Sequence, residues 1–154
     1  MNFIKKKFAR LTDPTRSYEE RTFVMLSIIG VSAMMIALVF DIIGKESIQE
    51  IATIAASIVI IPLLVIFSIR FEKIQIGSLI SVIMLEFIII PVTFYFGGGT
   101  RGGGVYWIIF AYMFIGMSLT GRLRATLMFL LTCIGIFEFW SAYRHSEWIY
   151  AHNI

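Results

Sequence analysis

Five long apolar stretches dominate the chain, at residues 22–40, 51–69, 77–96, 105–120 and 125–142, and charged residues fall mostly in the segments between them. None of the stretches alternates apolar with polar positions, and none leaves a wet stripe at helical spacing. Each therefore reads as a helix in hydrocarbon rather than as a strand or an amphipathic helix of a soluble domain. A bilayer core takes roughly 20 residues of helix, with about 17 to 25 the usual range. The first three stretches meet that length comfortably, whereas 105–120 is slightly short, and a re-entrant segment is the alternative reading there. The pattern predicts an all-α, polytopic membrane helix bundle of about five transmembrane helices.

Composition sharpens this. Of 154 residues, 58% are hydrophobic and 15% charged, and the mean hydropathy of +0.87 lies outside the range of ordinary soluble domains. A single cysteine, Cys133, excludes an internal disulfide framework and any multi-thiolate metal site within one chain. The formal charge of +3 would suit nucleic acid, but the placement of the basic residues points to lipid instead. Lys5, Lys6, Lys7, Arg10, Arg16 and Arg21 precede the first stretch, Arg70 and Lys73 follow the second, and Arg122 and Arg124 follow the fourth. Only Lys45, Arg101 and Arg144 lie on the opposite side, so ten of the 13 basic residues share one face. Positive flanks are retained in the cytoplasm, which puts the N terminus inside and, after five crossings, the C terminus outside.

Residues 1–21 form a basic lead in which Ile4, Phe8 and Leu11 recur at helical spacing among lysines. This suits a short amphipathic helix on anionic headgroups ended by Asp13-Pro14, or equally a basic tail that only enforces topology. Twenty-one mostly polar residues before the first stretch, and its length, argue against a cleaved secretory signal. Residues 22–142 form the membrane domain. Residues 143–154 form an external tail with Tyr143, Trp148 and Tyr150, joined by Trp140 near the interface.

Two carboxylates interrupt the apolar stretches. Glu86 is tenth in the third, and Glu138 lies in the outer part of the fifth, within reach of the interface. An acidic residue at a helix centre costs about 2.5–3.5 kcal/mol on insertion scales, so it should face the bundle, find a partner or take up a proton. Pro91 leaves the carbonyl of Phe87 without its usual donor, which predicts a kink beside Glu86. Ligand or proton binding at Glu86 stands beside a plainer role as a neutral acid hydrogen-bonded to a neighbouring helix. Pro62 repeats the device with nothing ionisable beside it. The small pairs Ala33 with Ala37, Ala52 with Ala56 and Gly77 with Ser81 would let helices approach closely.

Residues 94–107 place six glycines and Arg101 between aromatic clusters. Gly97, Gly99 and Gly102 match G-x-G-x-x-G in form, but they follow a membrane helix rather than a strand and no ribose-binding acid follows, so a dinucleotide site is excluded on context. What remains is an external loop whose backbone can approach an anionic or aromatic ligand, with Arg101 as fixed charge and Tyr95, Tyr106 and Trp107 as stacking surfaces, or a tight turn between helices. The histidines, His145 and His152, both follow the last stretch, and no metal-binding, nucleophilic or hydrolytic arrangement is present.

The basic lead with Leu11-Thr12-Asp13-Pro14, the kinked third helix and Phe96-Gly97-Gly98-Gly99-Thr100-Arg101-Gly102-Gly103-Gly104 before an aromatic helix together resemble the N-terminal membrane sensor regions of bacterial GGDEF diguanylate cyclases and sensor histidine kinases. The catalytic signatures of those output domains do not occur in this chain. The resemblance implies a bacterial inner-membrane signal-input module, not itself an enzyme, that detects an external or membrane-soluble ligand; the residues of this chain that would meet it, read from their own chemistry, are Glu86, Arg101, Tyr106, Trp107 and Glu138. It implies control of a cytoplasmic output in a two-component system or a diguanylate cyclase. The odd number of spans suggests a region cut one helix before that output. The partners expected are the lipid bilayer, an output domain or signalling protein, a small-molecule ligand and a second copy in a homodimer, with no cofactor, metal or nucleic acid. A small transporter or channel subunit using an intramembrane glutamate is the alternative, and a scaffold recruiting partners through its basic residues is a third reading.

Overall fold

The structure, a computed structural model, describes residues 18–149. The basic amphipathic lead, Tyr150 and His152 lie outside the described residues. Among those described there are helices and turns and no strand. Helix α1 spans Tyr18–Gly44, α2 Ile48–Arg70 and α3 Ile74–Met84. A π-helical turn, Leu85–Ile89, joins α3 without a break to α4, Ile90–Phe96. Helix α5 spans Gly104–Ser118 and α6 Gly121–Arg144. All five apolar stretches are thus helical, with ends within four residues of those the hydropathy pattern predicts.

The helices share two ends. At one, Glu20 of α1, the α2–α3 connection at Glu72 and Lys73, and Ser118 at the close of α5 line a common cavity of about 300 Å³. This is also the end of Arg70, Arg122 and Arg124, the basic end. At the other, Glu50 of α2 abuts Gly97, Gly104 abuts the backbone of Phe94, and Ile149 abuts Gly99, so the glycine segment and both flanking connections gather there. Helix α5 starts at this glycine end, and Ser78 in α3 donates to the carbonyl of Ser118 at its other terminus (3.5 Å). The short fourth stretch therefore traverses the bundle and is not re-entrant. Four helices are long and apolar enough to cross a membrane, and α5 is the shorter fifth.

Between 22 and 44% of the apolar window of each long helix is buried within the bundle, which leaves most of it facing outward. Met25, Ile36, Phe40, Ile43, Ile66, Phe67, Ile109 and Phe129 are among the large side chains on that outer surface. Exposed apolar area on this scale needs lipid as its solvent, and the protein is a multi-pass membrane protein. The interior holds Phe23, Ile54, Val82, Leu85, Ile89, Ile115 and Leu131, with Phe23 edge-on to Phe114.

Because lipid tails are as apolar as leucine, association must come from close packing. Glycines supply it: a Cβ on Gly77 would lie 1.7 Å from Ser68 Oγ, and one on Gly30 would lie 2.9 Å from the ring of Phe110. Of the three small-residue pairs expected to do this, only Gly77 with Ser81 is buried. Ala33, Ala52 and Ala56 face outward. A uniformly apolar helix carries no polar stripe from which its inner face could be read. Several buried hydroxyls are satisfied within their own helices, Ser27 on the Phe23 carbonyl, Ser57 on Thr53 and Ser68 on Leu64, whereas Ser78 bonds across to α5 and Ser81 Oγ has no partner.

The α5–α6 turn is two extended residues, Leu119 and Thr120, followed by Gly121 at φ +65°. Arg122 and Arg124 sit in the first turn of α6, unfavourably placed for its dipole. Arg124 reaches back to the Gly116 carbonyl (3.5 Å), where the negative end of α5 receives it. Gly77→Ala should lower the unfolding free energy in detergent by about 1–3 kcal/mol through the clash with Ser68. Gly103→Ala, whose new methyl meets nothing within 4 Å, should be neutral. Thermal unfolding of the two variants side by side checks both outcomes.

Candidate functional site

The expected disturbance at Pro91 takes the form of the π-helical turn. The N–H of Ile90 bonds the carbonyl of Leu85, five residues back, so the helix widens by one residue. The α-helix then restarts with Pro91 in its first two positions, where a missing N–H costs nothing. Thr93 Oγ1, fully buried, donates to the carbonyls of Ile89 (2.8 Å) and Ile90 (3.1 Å). Glu86 lies inside the widened turn at 0% exposure, and neither carboxyl oxygen has a hydrogen-bond partner. That geometry does not match a neutral acid bonded to a neighbouring helix.

Glu138 is also interior, at 1% exposure, again with both oxygens unpartnered. It does not reach the interface, because α6 turns it inward on the face that carries Ser141. Ser141 Oγ donates to the Glu138 carbonyl (2.8 Å), and Tyr95 Oη, 2.6 Å away, donates to Ser141 Oγ. Phe94 meets Phe139 across the same seam at 5.7 Å between ring centroids. Tyr95 and Ser141 thus fix α6 against α4, and Glu138 sits one turn nearer the membrane centre. At about 1.5 Å per residue, Glu86 lies roughly 13 Å below Tyr95. The two acids therefore form successive tiers beneath the glycine segment.

The glycine segment itself is a wound, tight turn. It contains a 3₁₀ turn at Gly99–Arg101, with Arg101 N–H on the Gly98 carbonyl and Gly102 N–H on that of Gly99. Gly98 and Gly99 have φ of +86° and +62°, and a Cβ on Gly102 would lie 1.5 Å from the Gly97 carbonyl oxygen. The glycines let the chain pack on itself. Arg101 is exposed on this turn. Tyr106 is 75% exposed, while Trp107, one position on, is 8% exposed and edge-on to Phe110 at 6.1 Å. Arg101 and Tyr106 thus lie at the surface of the glycine end, Trp107 and Glu138 are each buried about one turn in from it, and Glu86 lies deeper still. The five residues line a vertical succession rather than one pocket.

Glu50 belongs to this region and was not among the expected residues. It sits one position before the second apolar stretch, in a Ser47-x-x-Glu50 capping pattern that reads as a helix start. Ser47 Oγ does accept the Glu50 N–H (3.2 Å). The carboxyl group, however, turns inward to 5% exposure, lies against Gly97 so closely that a Cβ there would be 2.4 Å from Oε1, and leaves Oε2 without a partner. The density of acids at 41, 46 and 50 between two apolar stretches was the available signal.

Beyond α6, His145 stacks on Trp148 (4.3 Å, 10°) and its Nδ1 lies 3.0 Å from Glu147 Oε1. Glu147 is held below the usual carboxylate range by its own backbone N–H and by His145. This pair is solvated and worth little. Among the described residues, no group of three His, Cys, Asp or Glu side chains could hold a metal ion. The fold and its buried acids define an all-α, multi-pass membrane protein. No protein-family description, no curated protein and no solved structure matches the chain.

An unsatisfied buried carboxyl costs stability, about 1–3 kcal/mol or more per group. Glu86→Met, close in shape and without polar oxygens, should therefore raise the detergent melting temperature. A lowered melting temperature would reveal a stabilising partner for Glu86.

Proposed function

We propose that this chain is a membrane-embedded signal-input module. It detects an external or membrane-soluble ligand and controls a cytoplasmic signalling output, of diguanylate cyclase or histidine kinase type, carried outside these residues. In this reading it lies in a bacterial cytoplasmic membrane with its N terminus and basic end inside and the glycine end outside. The observation that carries the proposal is the position of Glu86: fully buried, unpartnered, and inside a π-helical turn of the helix that runs from the basic end to the glycine turn.

A π turn is a local register choice. Moving it along the helix changes the facing of the residues it passes by about 100°, one residue's rotation. Glu86 biases that choice, since a register that gives its carboxyl a partner is favoured over one that does not. A ligand seated at the glycine end bears on the same helix through Gly97 and Tyr95. It shifts the equilibrium only by the difference in its contacts between the two registers. The result is a change in α3 at the basic end, where Arg70, Lys73, Arg122 and Arg124 face a cytoplasmic partner.

Two buried intramembrane acids also favour the second reading, a small transporter or channel subunit that moves a proton-coupled solute past Glu86 and Glu138. Vesicles separate the two. The chain is reconstituted with an environment-sensitive dye on Cys133, its single and exposed cysteine, and with a pH indicator inside. For signal input, Glu86→Gln shifts the dye emission, while gradient-driven proton entry matches protein-free vesicles in both variants. Proton entry above that background, abolished by Glu86→Gln, would establish transport instead. Identical emission in both variants would remove Glu86 from the conformational equilibrium.

A further inference from the structure

At the glycine end, α1 closes and α2 opens with three acids in ten residues: Asp41, Glu46 and Glu50. They lie close enough to repel one another, Glu50 feeling both Asp41 and Glu46. A cluster of acids at a membrane surface is common and by itself means little. Two features set this one apart. Glu50 is only 5% exposed with Oε2 unpartnered, and Asp41 Oδ2 is likewise shielded from solvent and unpartnered. In addition, Gly97 leaves the space that the Glu50 carboxyl fills, since any side chain there would collide with Oε1.

The α2 N-terminus offsets part of the Glu50 charge, but a capping role would turn the carboxylate back toward the Ser47 N–H rather than inward against Gly97. Two desolvated carboxyl oxygens with no donor are met either by protons or by a cation that brings its own N–H groups, and a cation is the partner that lets neighbouring acids keep their charges. A metal ion is a poor fit, because these acids do not converge into a ligand set. A molecule with ammonium groups spaced along a short chain can serve Asp41 and Glu50 without convergence.

We infer that the glycine end binds an external organic polyamine-type cation, with Glu50 and Asp41 as the groups that receive its ammonium ends and Gly97 as the residue that makes room for Glu50. This names the chemistry of the signal in the function proposed above. Binding itself is independent of that function, and only the response to binding rests on it.

The test uses the full chain in phosphatidylcholine nanodiscs, which carry no net lipid charge, at fixed ionic strength. Putrescine is titrated calorimetrically against the uncharged 1,4-butanediol, with calcium chloride as a third titrant. Saturable binding of putrescine alone is expected, weakened about tenfold or more by Glu50→Gln and by Asp41→Asn, and unchanged by Glu72→Gln, which removes an exposed acid at the basic end. Gly97→Ala, which displaces the Glu50 carboxyl without altering any charge, should weaken it comparably. Asp41→Asn guards against a Glu50 variant that fails to fold. Absence of saturable putrescine binding, equal binding by the Gln and Asn variants, or preferential binding of calcium would each overturn the inference. Glu50-dependent binding that leaves a dye on Cys133 unmoved would keep the site and remove the signal-input reading. A dye response to some other ligand, with no putrescine binding, would do the reverse.

Discussion

Inside a bilayer a polar group can be satisfied only by protein, and the arrangement of this bundle depends on how that constraint is met and where it is not. Many serine and threonine hydroxyls fold back onto their own helices, so that Ser27, Ser57, Ser68 and Thr93 ask nothing of their neighbours. Helices then approach through glycine, Gly77 on Ser68 and Gly104 on Phe94. A polar link between helices is made by Tyr95 and Ser141, which hold α6 to the glycine-end part of the third span. Such links are worth about 0.6 kcal/mol on average in membrane bundles, so their value lies in fixing a facing more than in adding stability. Against this background the carboxyl groups of Glu86, Glu138 and Glu50 are exceptions, and all three bear on the helices that meet at the glycine end.

The third span concentrates the consequences. Its π turn, its proline restart and its buried acid lie within seven residues, and its C-terminal end runs directly into the glycine turn. A helix that is locally over-wide at one point can be altered at small cost there while remaining regular above and below. The same helix contacts α2 through Gly77 and Gly97 at its two ends, so a change at one end has a mechanical path to the other.

Much of this fold was legible in the residues. Sustained hydropathy gives the five helices, because in lipid an apolar stretch of that length has few other stable forms. Pro91 announces a break in the helix, although not that the break is a π turn holding Glu86. Facing was not legible. Ala33, Ala52 and Ala56 promise close packing and point outward, while Glu138 looks able to reach the interface and points inward, since a helix apolar on every side gives no stripe to orient it. Six glycines suggest either a loop open to a ligand or a tight turn between helices, and the structure uses several of them to wind a turn that packs on itself and on Ile149. Glu50 was hidden by its place at a boundary, where a capping pattern explains its presence without hinting that its side chain is buried.

Helix α5 carries a consequence of its length. Fifteen residues rise about 22 Å, short of a hydrocarbon core of about 30 Å. Ile109, Met113 and Tyr106 nevertheless face outward along it. The bilayer beside this face must thin, or polar headgroups must dip toward Gly104 and Ser118, at a cost of a fraction of a kcal/mol for each ångström of mismatch. Acyl-chain length in the surrounding membrane thereby enters the energetics of the bundle, and it acts on the helix that joins the glycine turn to the basic end.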